Sequence, residues 1–211
     1  PPGTPGHPIN SRVDALLKEE FDELRAKGEP HPIFKEYELN FIPYNGLDPE
    51  TLKKYRFNRV GVRAKSKKTN IEIFGALDDL WLNKDTDEIV VLDYKATSNK
   101  KLEEYTSSDK HYHKSYLRQL DFYAYLLKLN DFKVHDTGYW LICNAQDESQ
   151  KTFNKKVNFK TTLLSYKLKT DYIEDTLVDL KNCLESKKMP NSGTDCDNCR
   201  WYNEIKKKKI K

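Results

Sequence analysis

Long apolar runs are missing from this sequence. No stretch of its 211 residues approaches the roughly eighteen consecutive apolar positions that a membrane-spanning helix requires. The opening PPGTPGHPIN also lacks the charged-then-apolar order of a secretory signal. Together these absences predict a soluble, cytoplasmic protein with no membrane partner. Cysteine is scarce as well: four in a chain of this length are too few for a disulfide scaffold. A strong excess of one charge is the third absence. Lys plus Arg number 37 against 33 Asp plus Glu, so a chain that is 33% charged carries a net charge of only +4 and a mixed surface. That balance permits a polyanionic partner without implying one. Hydrophobic residues make up 37%, enough at this length for one real core. The chain opens on Pro without Met, which suggests a piece of a longer polypeptide with room for an upstream domain or a complex partner.

The pattern divides the chain into a loose Pro- and Gly-rich arm (1–10), one domain (11–204) and a basic tail (205–211). NSRVDALLKEEFDELRAKG carries helix signals, with Asn10 or Ser11 as cap and Gly28 as stop. Val13, Leu16, Leu17, Phe21 and Leu24 form its apolar stripe at helical spacing, and Glu20 falls near the middle of that stripe. Tyr37 to Ile42 reads as a strand, PYNGLDPE as an excursion, and the basic run from Lys53 to Lys68 as a loop. Helices are expected over SYLRQLDFYAYLLKLN and DYIEDTLVDLKNCLES. Strand character is expected over TGYWLICNA and in a pair of segments, KVNF and TLLSYKL.

The most informative segment is IEIFGALDDLWLNKDTDEIVVLDYKATS, two β-rich runs around the polar turn Asn83 to Asp87. Both runs are apolar on both faces, so the hairpin belongs centrally in a covered sheet. With the turn centred between Asp85 and Thr86, Asp78 and Asp93 fall opposite each other, their Cβ atoms about 5 Å apart. Facing carboxylates in an apolar sheet repel and are poorly solvated unless a proton or a cation sits between them. A hard divalent ion, Mg²⁺ or Mn²⁺, resolves the conflict, with the Tyr94 carbonyl as a further oxygen ligand. Lys95 shares a face with Asp93 by strand alternation, while Asp79 points to the other face and reads as structural.

Gly75-Ala76-Leu77-Asp78, then Asp93-Tyr94-Lys95, then Gln119 and Tyr123 on the following helix resemble the G-x-x-D, D-x-K and Q-x-x-x-Y motifs of RecB-like nucleases. These belong to the PD-(D/E)XK superfamily, in the branch that includes CRISPR-adaptation exonucleases. The resemblance implies an α/β restriction-endonuclease-like core, a central mixed β-sheet flanked by helices. It further implies Mg²⁺- or Mn²⁺-dependent hydrolysis of DNA, as single strands or ends, in repair, recombination or phage and mobile-element processing. The family places an acidic or His residue on the first helix at the metal, for which Glu20 is the candidate and His7 the runner-up. Gln119 and Tyr123 would face the site from their helix.

The segment from Tyr105 to Tyr116 combines tyrosines with Lys and His and offers either a stacking lid for single-stranded DNA or a solvated loop. The C-terminal Cys196-x-x-Cys199 resembles part of the iron–sulfur region of the CRISPR-associated members, or a zinc site. No third ligand follows it, however, and Cys143 and Cys183 read as ordinary side chains. Two rival readings follow from these features: a catalytically silent DNA-binding module on the same fold, and a zinc or iron–sulfur interaction domain.

Overall fold

The computed structural model describes residues 8–102, 104, 111–146, 149–193 and 195–208. Helix α1 spans Pro8–Lys27, so it begins within the segment expected as an arm. Pro is well tolerated in a helix's first turn, where its missing N–H costs nothing. The helix ends as expected at Gly28 (φ 69°), where the Gly28 and Glu29 N–H groups close back on the Arg25 and Leu24 carbonyls. A short helix α2 (Pro32–Glu36) precedes strand β1 (Phe41–Pro43), and α3 (Pro49–Arg56) follows it. Helix α2 precedes the segment expected as a strand, and α3 takes the end of the expected excursion and the start of the basic run expected as a loop. His31 caps α2 and Asp48 caps α3, each followed by Pro at the first helical position.

The expected long hairpin is divided. Its first run splits into β3 (Glu72–Gly75), which pairs with β2 (Val62–Lys65) in a separate two-stranded sheet, and β4 (Asp79–Asn83) in the main sheet. The break falls beside Gly75, where a Cβ would press on the Tyr123 ring at 3.1 Å, and Gly61 passes so close to the Gly75 carbonyl that only glycine fits. β5 (Glu88–Thr97) pairs antiparallel with β4. Helix α4 (His111–Leu129) then crosses over to β6 (Thr137–Asn144), which runs parallel to β5. β7 (Lys160–Lys167) closes the sheet in the order β1-β4-β5-β6-β7, and the KVNF segment is not a strand. Helices α5 (Ile173–Glu185) and α6 (Asp197–Lys208) complete the chain. The expected basic tail is therefore helical to Lys208, its lysines favourably placed at the negative end of the α6 dipole.

Alternation along β5 sorts the core into two layers. Val90, Leu92 and Tyr94 join Leu17 and Phe21 of α1 and Trp81 on one face. Ile89 and Val91 join Leu120, Ala124 and Leu127 of α4 with Ile173 and Leu177 of α5 on the other. The result is a mixed five-stranded sheet with helices on both faces, as the restriction-endonuclease-like reading requires. No helix among the described residues is long and apolar enough to cross a membrane.

Candidate active site

The β4–β5 register pairs Asp79 with Leu92 and Leu80 with Val91. One step further along the same register, just before β4 begins, Asp78 comes opposite Asp93. Asp93 and Lys95 share the sheet face that carries Val91 and looks toward α4. Gln119, Tyr116 and Tyr123 of α4 line a cavity of about 540 Å³ together with Asp78, Asp93 and Lys95.

Asp93 is 1% exposed. Burial pushes its carboxyl up, Lys95 pulls it back and Asp78 raises it further, leaving it at about 7. The Lys95 ammonium lies against Asp93 as an ion pair, although the buried Oδ2 accepts no well-aligned hydrogen bond. Lys95 is steered by Gln119 Oε1 at 3.3 Å and sits 4.7 Å over the Tyr116 ring. Gln119 in turn donates to the Tyr123 hydroxyl at 2.8 Å, so the two α4 residues form one chain of contacts ending on Lys95.

Asp78 is held differently. Its Oδ2 accepts the Tyr94 N–H at 2.9 Å, and its Oδ1 meets Lys18 Nζ at 3.1 Å. Its backbone carbonyl accepts from Arg56 Nε at 2.9 Å. A strand residue sends its N–H and C=O to the same side, so the Tyr94 carbonyl faces the open edge beside Asp78 where β4 has not yet begun. The Tyr94 side chain points the other way and donates to Asp79.

Behind the cleft, Asp79 is completely buried and paired with both Arg25 and Arg56 (3.0 Å for Arg56), and it also accepts from Tyr94 Oη at 2.9 Å. Arg56 extends the cluster to Asp22 at 2.6 and 3.0 Å. Asp79 is thus structural, as strand alternation anticipated.

The family model of the PD-(D/E)XK nuclease superfamily matches residues 5–203. The chain belongs to that superfamily. No curated protein and no solved structure matches it. In this member of the superfamily Asp78, Asp93, Lys95, Gln119 and Tyr123 line one cleft, and Glu20 is not among its lining residues. The Glu20 side chain is 57% exposed and bonds His31 at 2.9 Å. The apolar stripe was placed too far round α1: Leu16 is exposed, while Leu17, Phe21 and Arg25 are buried. Glu20 immediately precedes Phe21 and so lies about 100° away from it on the helix. Asp14, seven residues before Phe21, returns to within about 20° of it, and Asp14 lines the cleft.

Sequence reasoning therefore missed Asp14, Lys18 and Arg56. Lys18 bridges Asp14 (2.8 Å) and Asp78 (3.1 Å), and these contacts hold its ammonium above the ordinary lysine range against the opposing effect of burial. A correctly phased α1 would have exposed the first two: with Arg25 counted in the buried face beside Leu17 and Phe21, Asp14 falls near its centre and Lys18 closer to it than Glu20.

A metal at this cleft would meet an oxygen-only donor set of Asp78, Asp93 and the Tyr94 carbonyl. That suits Mg²⁺ or Mn²⁺, which bind through one or two carboxylates plus waters and substrate phosphate rather than in a closed protein cage. Among the described residues no group of three or more His, Cys, Asp or Glu is gathered for a metal. Of the cysteines, Cys143 is buried in β6 with its thiol pushed up to about 11, and Cys183 is exposed on α5. Cys199 N–H merely donates to Cys196 Sγ at 3.3 Å. His7 and residues 105–110 of the expected stacking segment lie outside the described residues.

Proposed function

We propose that this chain is a Mg²⁺- or Mn²⁺-dependent deoxyribonuclease acting through the cleft at the end of β5. The observation that carries the reading is a buried carboxylate, Asp93, facing a second carboxylate, Asp78, with Lys95 on the same face in an otherwise apolar sheet. Such an arrangement costs stability in a purely structural role, and it serves phosphodiester hydrolysis.

Asp78, Asp93 and the Tyr94 carbonyl would hold the ion, which when bound supplies Lewis-acid activation of water and of the scissile phosphate. The remaining work falls to the chain's own residues. Lys95, held in line by Gln119 and Tyr116, stabilises the charge that builds on the phosphate and keeps the attacking water oriented. Tyr123 keeps Gln119 in place and is not assigned a proton transfer. Lys18 presents a second ammonium at the opposite wall, and Asp14 takes the first-helix acidic place expected of Glu20. DNA, as single strands or ends, is the proposed substrate.

The test is Mn²⁺-dependent cleavage of end-labelled single- and double-stranded DNA by the wild type, Asp93→Ala and Lys95→Ala. Each variant is expected to lose cleavage by about a thousandfold or more, the scale of removing central electrostatic stabilisation, while keeping its circular dichroism spectrum. Wild-type protein that binds DNA and cuts it under no metal would defeat the catalytic reading and leave a binding module.

A further inference from the structure

A second and larger cavity, about 1040 Å³, opens between α1 and α3 and shares Lys18 and Arg56 with the catalytic cleft. We propose that this groove is a binding subsite for an unpaired DNA strand, taking the bases next to the cleaved phosphate. The proposal rests on the nuclease reading and extends it from the phosphate to the bases.

Three features of the groove carry the assignment. Its volume is just above the roughly 300–1,000 Å³ that encloses a drug-sized ligand, room for more than one nucleotide. Its lining is two-sided in chemistry. Leu47, Pro49, Leu52 and Phe57 give it an apolar wall, Phe57 being 54% exposed, while Lys53 and Lys54 line it from exposed positions on α3. Such a combination matches single-stranded nucleic acid, whose base faces stack on aromatic and apolar side chains while its phosphates meet cations; a duplex keeps those faces inside its own stack.

The third feature is continuity. Arg56 stands at the wall between the two cavities, fixed by Asp22, by Asp79 and by the Asp78 carbonyl, and Lys18 contacts Asp78 directly. A strand leaving the carboxylates past these two cations enters the groove without crossing an uncompensated negative charge, because Asp22 is already paired with Arg25 and Arg56. Glu50, at the start of α3, is the acidic residue that remains on the rim. The basic run that sequence patterning left as a loop thus acquires a role through the α3 helix.

The test is fluorescence anisotropy of labelled oligothymidylate and of a blunt duplex in EDTA, where binding is read without cleavage. Ala26→Trp places bulk in the groove from an exposed α1 position, and Phe57→Ala removes the aromatic face. Each is expected to weaken single-strand binding about tenfold or more, the scale of losing one stacked base, with Phe57→Tyr restoring it and duplex binding unmoved. Circular dichroism verifies folding, and the two substitutions lie on different segments, Ala26 in α1 and Phe57 at the C-cap of α3. Single-strand binding equal to wild type in both variants overturns the proposal, as does an equal loss on the duplex or a wild type that does not bind oligothymidylate. A chain that binds in this groove yet never cuts DNA would defeat the nuclease reading alone.

Discussion

Asp78 and Asp79 are neighbours in sequence and opposites in environment. Asp79 is sealed on the α1 face, with two guanidinium groups and a phenol around it. Asp78 looks into a cleft, held by a lysine and one backbone N–H, and opposite it stands a buried carboxylate pushed up to about 7. The first arrangement satisfies a charge completely and can only hold the fold together. The second leaves two carboxylates competing for cations, a competition that the proposed divalent ion would relieve. What separates scaffold from site in this hairpin is therefore not the amount of charge but whether its partners are already in place.

Breaking the closed cluster should produce the largest change in stability. Arg25→Met removes the cation that bonds Asp79, Asp22 and the Tyr44 and Leu80 carbonyls. Urea unfolding is expected to show a loss of ~3–5 kcal/mol, because a buried charge is left partly unpaired. A loss below about 1 kcal/mol would mean that Arg56 alone satisfies Asp79.

The comparison sharpens on α1, where Asp14 and Glu20 make rival claims to the cleft. Asp14→Ala is expected to lower cleavage by about 10- to 100-fold through displacement of Lys18. Glu20→Ala, at an exposed site, should stay within about 0.5 kcal/mol in stability and leave cleavage unchanged. Cleavage rates for the two variants reversed in order would restore the original phase of the helix.

A smaller effect is expected far from the cleft. Burial works to raise the Glu174 carboxyl, but bonds from Tyr125, Ser66 and the Lys67 and Lys68 N–H groups outweigh it and lower the group to about 2. A folded-state value below the unfolded one means that its stabilising contribution is present above the ordinary Glu value and is lost as pH falls through about 2. Thermal melting from neutral pH down to that range should show this acid loss in the wild type and a shallower one in Glu174→Gln.

These contrasts also explain what the sequence disclosed. Hairpin register follows from turn position and alternation, so the opposition of Asp78 and Asp93 and the diversion of Asp79 were legible locally. The α1 phase was not, because Arg25 is buried against partners distant in sequence, Asp79 54 residues away among them, and a stripe drawn from apolar residues omits it. The split between β3 and β4 depends on the approach of Gly61 and Tyr123 to Gly75, contacts made in three dimensions. The short helices α2 and α3 were legible in principle, since His31-Pro32 and Asp48-Pro49 are helix start signals.

The most direct test is single-turnover Mn²⁺-dependent cleavage per folded molecule for Asp78→Asn and Asp79→Asn measured side by side, with the melting curve of each. The account predicts that Asp78→Asn melts close to wild type and does not cleave, whereas Asp79→Asn melts well below wild type but cleaves within about tenfold of it at temperatures where it is folded. Loss of cleavage in Asp79→Asn with an intact melt, or full activity in Asp78→Asn, would contradict it.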